Sequence, residues 1–329
     1  MPTLKVPNSA CIHTFKYFLS MNASFDQDSP AILDLDPRFA HLDPMALSMV
    51  AAWGGWCKRH GLTIQVQNAH GNHANYLARM KLFEHLGVAY QGKIQEREEA
   101  GRFMPLIQVK TPAELQQVIG NVSAVLHLDK DPNSLNAVQY CVSELVRNVL
   151  EHSRSEEGAW VCAQRYLKTE SPSRVTIAVA YCGFGIAAHL GGRYPQVLQD
   201  DMLALQLAMQ PGVTGAQSGL YGGAPDNAGA GLFITRAIAK ATGGYFMLIS
   251  GRAAFRLNRE SAIPDKLAIF QDAFNEPRVK RCLQSHPWLG TVAAMEIYTE
   301  RTSNFPQFFQ WIRSQLPTKK TAAGKIKFT

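Results

Sequence analysis

L-N-A-V-Q-Y-C-V-S-E-L-V-R-N-V-L-E-H-S, residues 135–153, decides how the rest of this chain is read. Val142, Leu145, Val146, Val149 and Leu150 recur at the spacing of one helical face, which predicts a long amphipathic helix with a buried stripe. Glu144 and Asn148 are four residues apart and share another face, and His152 continues their row. A carboxylate and an amide one turn apart can divide the work around a metal-bound nucleotide. The amide oxygen binds a hard cation, and the carboxylate orients or deprotonates water. On an isolated helix such a pair is most often a solvated face, so its meaning depends on the segments downstream of it.

Two glycine segments lie there. In R-V-T-I-A-V-A-Y-C-G-F-G-I-A, residues 174–187, an apolar strand runs into Gly183-Phe184-Gly185. Alone, such a G-x-G is commonly a tight turn. In N-A-G-A-G-L-F-I-T-R-A-I-A-K-A-T-G-G, residues 227–244, Gly229 and Gly231 immediately precede a helix. Glycines there let backbone N–H groups approach a phosphate, whose charge the helix N-terminus favours. Gly243-Gly244 closes that helix, Y-F-M-L-I-S (245–250) reads as a strand, and G-T-V-A-A-M-E-I (290–297) reads as another.

These four elements in this order resemble the GHKL family of histidine kinases, gyrase-type ATPases, chaperones and anti-sigma-factor kinases. E-L-V-R-N-V-L-E-H is similar to its N-box, G-F-G-I to its first glycine box and G-A-G-L-F-I to its second. The resemblance implies ATP and magnesium as ligands, with Glu144 as the base and Asn148 as the magnesium ligand. It further implies nucleotide contacts from His152, Tyr181, Gly183, Gly185, Ile186, Gly229, Gly231, Leu232 and Thr291, the threonine supporting adenine through water. One position departs from the family. The first box is normally D-x-G-x-G, its Asp accepting from the adenine amino group, and here that position is Tyr181. A phenol carries no formal charge and reaches farther from the backbone. Losing a buried polar partner of the base costs about 1–3 kcal/mol, roughly one to two decades in affinity. Weaker ATP binding, altered nucleotide choice and a degenerate pocket are the three consequences open to it. Residues 187–228 correspond to the family's ATP lid, and their glycines and polarity suit a mobile flap or a long surface loop with a helix near 201–209. Arg193 and Lys240 are candidates to neutralise phosphate, although surface charge is the plainer reading of each.

Upstream, A-I-L-D-L-D (31–36) alternates like a half-buried strand, M-A-L-S-M-V-A-A-W-G-G-W-C (45–57) is apolar at helical spacing, L-T-I-Q-V-Q-N (62–68) alternates again, and residues 72–86 read as a helix closed by Gly87. This β-α-β-α order implies parallel pairing. Residues 31–90 resemble a STAS domain, the fold of anti-anti-sigma factors. Its phosphorylated members carry a Ser or Thr at or next to the residue after an Asp at the helix start, whereas here Asp43 precedes Pro44 and Met45, and Ser48 lies a turn further in. The resemblance implies a docking or dimerising scaffold without that switch. Trp53 and Trp56 read as core or interface anchors, and a metal site at His70 and His73 lacks a third ligand. Residues 93–103 are dense in charge and suit a linker. A strand at 106–109, a helix from Thr111 and a strand at 123–128 are expected next, and 252–289 is an insertion carrying P-R-V-K-R.

Composition bounds the function classes. Apolar residues make up 46% and charged residues 18% of the 329, ordinary for a globular protein and incompatible with wholesale disorder. The longest apolar run, 175–188, is too short for a bilayer and is broken by glycines, and the first residues lack a secretion signal, so the expectation is a cytoplasmic protein with no membrane partner. Six cysteines without a C-x-x-C pair read as reduced thiols. The net charge is +7, and Arg313, Lys319, Lys320, Lys325 and Lys327 crowd the last stretch without an acidic residue. That tail is a candidate for nucleic acid or an acidic partner, or simply solubilises the terminus.

The expected fold is α/β: a C-terminal Bergerat-type α/β sandwich over 104–303, with a mixed sheet and helices on one face, preceded by a STAS-like α/β domain over 1–92 and the 93–103 linker, and followed by a C-terminal helix and basic tail over 304–329. The expected function is a Mg-ATP-binding regulator that switches conformation with nucleotide, partnered by another protein or a second copy. Two alternatives stand beside it: a serine/threonine kinase of the anti-sigma-factor type acting on a STAS partner, and a non-catalytic interaction module whose nucleotide pocket is closed.

Overall fold

The computed structural model describes residues 1–14, 21, 23–38, 41–90, 92, 102–128, 130–167, 172–215, 229–260, 267–316 and 325–328. It is an α/β protein with one parallel and one larger antiparallel sheet. β1 (Thr3–Val6), β3 (Ala31–Leu35) and β5 (Ile64–Gln67) form the parallel sheet in the order β1-β3-β5, as the β-α-β pattern predicts. β2 (Ser9–Ala10) and β4 (His41–Leu42) add a short parallel pair. The five-stranded sheet runs β6 (Phe103–Val109), β7 (Ala159–Tyr166), β8 (Arg174–Cys182), β11 (Val279–Tyr298), β9 (Phe246–Leu257), and every adjacent pair is antiparallel. The mixed sheet expected over 104–303 is therefore corrected. β8 and β9 do run the same way, but β11 lies between them and opposes both.

The helical face of this sheet carries α4 (Pro112–Leu126), α5 (Pro132–His152), α8 (Gly231–Ala241) and α9 (Phe305–Ser314) over one continuous core, with Val142, Val146, Phe233, Ile234, Ile177 and Met295 at its centre. Asp131 caps α5 by accepting from Ser134 N–H, and Pro132 occupies its first turn. Helices are not confined to that face. α1 (Pro44–Arg59) lies on the opposite side, where Trp53, Met49 and Cys57 share a second core with Cys162, Ala178, Ala180, Val292 and Ala294 of the large sheet and with Leu33 and Leu35 of the small one. A helix buried on two sides has to be apolar all round, which 45–57 is. Ser48 is fully buried and donates to Ala178 O at 3.4 Å, so it faces the sheet rather than a modifying enzyme. Asp43 caps α1, accepting from Met45 and Ala46 N–H, and also takes Ile12 N–H at 2.6 Å. Burial pushes its carboxyl up to about 6.

Several expected elements differ. The predicted helix over 72–86 is two helices, α2 (Gly71–Arg79) and α3 (Leu82–Leu86), because Lys81 between them is left-handed at φ 60°. The strand expected at 123–128 is instead the end of α4, which runs to Leu126; Leu126 and Leu128 serve the helical core. The 252–289 insertion extends the sheet: β9 and β11 continue as a hairpin arm, with β10 (Leu267–Phe270) between them in the chain. Residues 325–328 of the basic tail form β12 (Lys325–Phe328), antiparallel to β10, whereas Lys319 and Lys320 lie outside the described residues, as does most of the 93–103 linker. The six cysteines are free, and no described helix is long and apolar enough to cross a membrane.

Candidate functional site

α5 presents Glu144, Asn148 and His152 in a row along one side, as its spacing predicts. Glu144 is 7% exposed. Its Oε2 lies against the backbone of Gly231, the first residue of α8, so closely that a Cβ there would collide with the carboxylate. Gly229, two residues earlier, turns the chain at φ +79°, a conformation that disfavours side-chain-bearing residues. The second glycine segment and the carboxylate of the N-box-like helix, far apart in sequence, thus meet. Burial holds the Glu144 carboxyl above its usual range, and Arg147, 3.5 Å away, pulls in the opposite direction. α8 has no side-chain cap at its N-terminus. A carboxylate beside an uncapped helix start is favourable by itself, so Glu144 has a structural role whether or not it has a chemical one.

One turn along, Asn148 Nδ2 is shut away from solvent with no hydrogen-bond partner among the described residues. Buried amides are normally satisfied. At the end of the row, His152 stacks on His189 of α6 (Ile186–Leu190), with ring centroids 4.2 Å apart. Burial first, and the nearby His152 second, depress His189 to about 4, so this ring is neutral near pH 7.

The first glycine segment closes the other end. Phe184 N–H donates to Ser153 O at 2.8 Å, tying the β8–α6 turn to the C-terminus of α5. Gly183 packs beneath Ser153 O, and Gly185 packs against Ser250 Oγ at the start of α6. Tyr181 and Thr291 face each other in register across β8 and β11, and Thr291 also faces Ser250 on β9. Their hydroxyls join. The Tyr181 phenol donates to Phe184 O at 2.8 Å and lies 3.0 Å from Thr291 Oγ1, which donates to Ser250 Oγ at 3.1 Å. Ser250 Oγ in turn accepts Ile186 N–H at 2.9 Å and donates to Gly290 O at 2.9 Å. Tyr181 is 8% exposed, and burial pushes its phenol up to about 12. The network is complete without a ligand.

The site residues therefore form two groups along α5. Glu144, Gly229 and Gly231 make a polar corner at the start of α8, with Asn148 one turn further along α5 and Leu232 half-buried beside the corner in the helical core. Tyr181, Gly183, Gly185, Ile186 and Thr291 make an internally satisfied wall, joined to α5 through Ser153 and to His152 through α6. The corner suits a cation-bridged phosphate: an anion at the α8 N-terminus also meets the Glu144 carboxylate, and a divalent cation held by the Asn148 side chain would reconcile the two charges. The wall offers little to a base amino group, because the phenol's single proton is already given to Phe184 O and the side chain is buried among its own partners.

Ser250 is a site residue that the sequence hardly announces. Its one signal is a hydroxyl at the end of an apolar strand, meaningful only once β9 and Thr291 are in register. Lys240 is not a phosphate ligand. With Arg236 it clamps Glu276 of the 252–289 arm: Arg236 Nη1 donates to Glu276 Oε1 at 2.8 Å, Lys240 Nζ donates to Glu276 Oε2, and Phe270 N–H donates to Glu276 Oε1 at 3.0 Å. Arg193 is exposed over the Tyr194 ring. Of the lid-like stretch, residues 187–215 are described and include α7 (Asp201–Ala208), whose Asp201 accepts from Arg252 N–H at 2.8 Å; residues 216–228 lie outside the described residues. No group of three metal-ligating side chains occurs among the described residues, and the His73 side chain lies outside them.

No family model matches the chain, and no curated protein matches it. Two solved structures of S. aureus homoserine dehydrogenase, at pH 7.5 and pH 6.5, are 10% and 9% identical over 92% of this chain and 82% and 81% of theirs. Both have a TM-score of 0.12, at which the likeness carries no argument about fold or function.

Proposed function

We propose that this chain is a regulatory module of the Bergerat (GHKL) type that binds a magnesium-bound nucleotide mainly through its phosphates, with a STAS-like unit packed on the back of its sheet. The observation that carries the reading is the corner at the α8 N-terminus: Glu144 against Gly231, with Asn148 one turn along α5, its Nδ2 donor unmet among the described residues. A phosphate there gains the helix dipole and free backbone N–H groups. It also meets a carboxylate, so magnesium is required for binding. Glu144, with its raised pKa, is the group able to take a proton from an attacking water or hydroxyl.

The test is a calorimetric titration with a non-hydrolysable ATP analogue, run with magnesium, with chelator, and in Asn148→Ala. Micromolar binding that depends on magnesium and is lost in the variant supports the reading. Absence of binding in the native protein under all conditions sinks it.

A second reading, a non-catalytic interaction module, is favoured by one specific observation: the Tyr181 phenol is buried and its proton is already given to Phe184 O. In that case the fold remains intact, no nucleotide binds, and the row on α5 serves only to position α8.

A further inference from the structure

A concavity of about 820 Å³ lies between α4, α5 and α9, away from the glycine turns. Its floor is aromatic: Tyr140 meets Phe309 edge-on at 4.7 Å between centroids, and Phe305 stacks on Phe309 at 5.4 Å. Its rim carries Arg147 and Arg313. Arg147 is shared between Glu144 at 3.5 Å and Glu151 at 3.9 Å. Arg313 is exposed, lies over the Phe309 ring at 5.7 Å and makes no ion pair among the described residues. The Tyr140 hydroxyl is shut from solvent and has no hydrogen-bond partner among the described residues. Burial drives this phenol well above its usual range, and both guanidiniums, together with the Glu144 carboxylate, lie close enough to act on it.

Valleys between surface helices are common. This one combines two features that such valleys need not have: a stacked aromatic floor and an exposed guanidinium held over one of its rings. The volume is that of a small-molecule site, for which roughly 300–1,000 Å³ is usual.

We infer that this groove binds a small amphipathic organic anion, a carboxylate with an aromatic or short aliphatic body. The body lies on the rings of Tyr140, Phe305 and Phe309, and the carboxylate pairs with Arg313. An anion is selected over a cation because Arg313 is the exposed charge on the rim and makes no ion pair among the described residues, whereas the Glu144 carboxylate is buried and paired with Arg147. This inference does not rest on the nucleotide reading. Glu144 borders both places, meeting Gly231 at the nucleotide corner and lining one edge of the groove, but Arg313 and the rings that would hold the anion belong to the groove alone.

Saturation-transfer NMR with 4-phenylbutyrate tests it, beside 4-phenylbutylamine and the variants Arg313→Met, Tyr140→Phe and Arg193→Met. The native protein is expected to bind the carboxylate saturably, and the amine is expected not to compete. Arg313→Met keeps the aliphatic stem and weakens binding about tenfold, the loss of one charge-assisted contact. Tyr140→Phe keeps the ring, removes only a hydroxyl closed to solvent, and leaves binding unchanged. The remote Arg193→Met leaves it unchanged. No saturable binding by the native protein, equal affinity in Arg313→Met, or equal competition by the amine overturns the inference. Arg313 is exposed, so its variant keeps the fold, which circular dichroism verifies.

Discussion

Glu276→Ala is the substitution from which the structure predicts most. Arg236 is 0% and Lys240 6% exposed, and the Glu276 carboxylate between them accepts from both side chains and from Phe270 N–H. Removing it leaves two buried cations facing each other across a hole. Breaking a buried pair in this way costs about 3–5 kcal/mol, a large share of the roughly 5–15 kcal/mol that holds a domain together. With an m-value of about 3 kcal/mol per molar urea, the midpoint falls by on the order of 1–1.7 M. Circular dichroism during urea unfolding reads this directly. Replacing all three residues together, as Arg236→Met, Lys240→Met and Glu276→Leu, should bring the loss back to within about 1 kcal/mol, because no charge is stranded. If Glu276→Ala alone costs less than about 1 kcal/mol, the cations reach water and the clamp from the 252–289 arm onto α8 is not what holds the arm in place.

Three further outcomes are expected at the site and in the pH response. Gly231→Ala puts a methyl against Glu144 Oε2, costs roughly 1–3 kcal/mol as overpacking, and should cost clearly less in a Glu144→Ala background; an additive double-mutant cycle would mean that the two do not touch. Tyr181→Asp replaces the satisfied phenol with a free acceptor and should raise affinity for an ATP analogue over a GTP analogue by about one to two decades, with equal gains for both bases contradicting the assigned base position. His189, depressed to about 4 from 6.5, binds its proton more readily in the unfolded chain, so it lowers stability progressively as pH falls from 6.5 to about 4. Asp43, raised to about 6 from 3.8, acts with the opposite sign, adding stability as pH falls through 6. Thermal midpoints between pH 4 and 7 should therefore decline less steeply in His189→Phe than in the native protein, and identical slopes would remove His189 from the balance.

The parts legible in the sequence are those where periodicity and chain order carry the information. α5, α8, β3, β5 and β8 form where their patterns predict, and Glu144 of α5 lies against Gly231 of α8. Residues 123–128 read as a strand because a short apolar run does not distinguish a strand from a buried helix end; α4 continues to Leu126, whose side chain lies in the helical core. Lys81 breaks its helix through a left-handed backbone that its side chain does not announce. The seating of α1 on the back of the large sheet is legible in principle. Residues 45–57 are apolar on every side, and Gly54 and Gly55 let Leu86 and Trp160 approach from two directions. The Tyr181–Thr291–Ser250 network is not legible, since it depends on the register of three strands remote in sequence.

The place of β11 between β8 and β9 has a consequence for biogenesis. β8 ends at Cys182 and β9 begins at Phe246, yet neither can complete its sheet pairing until Val279–Tyr298 has been made. On the ribosome, at about 5–20 residues per second, the nascent chain carries two open strand edges flanking an empty slot. Such edges recruit other strands. A nascent chain arrested before residue 279 would therefore depend on chaperone protection, and it would also lack Thr291. The Tyr181 hydroxyl network is accordingly among the last features of the molecule to be assembled.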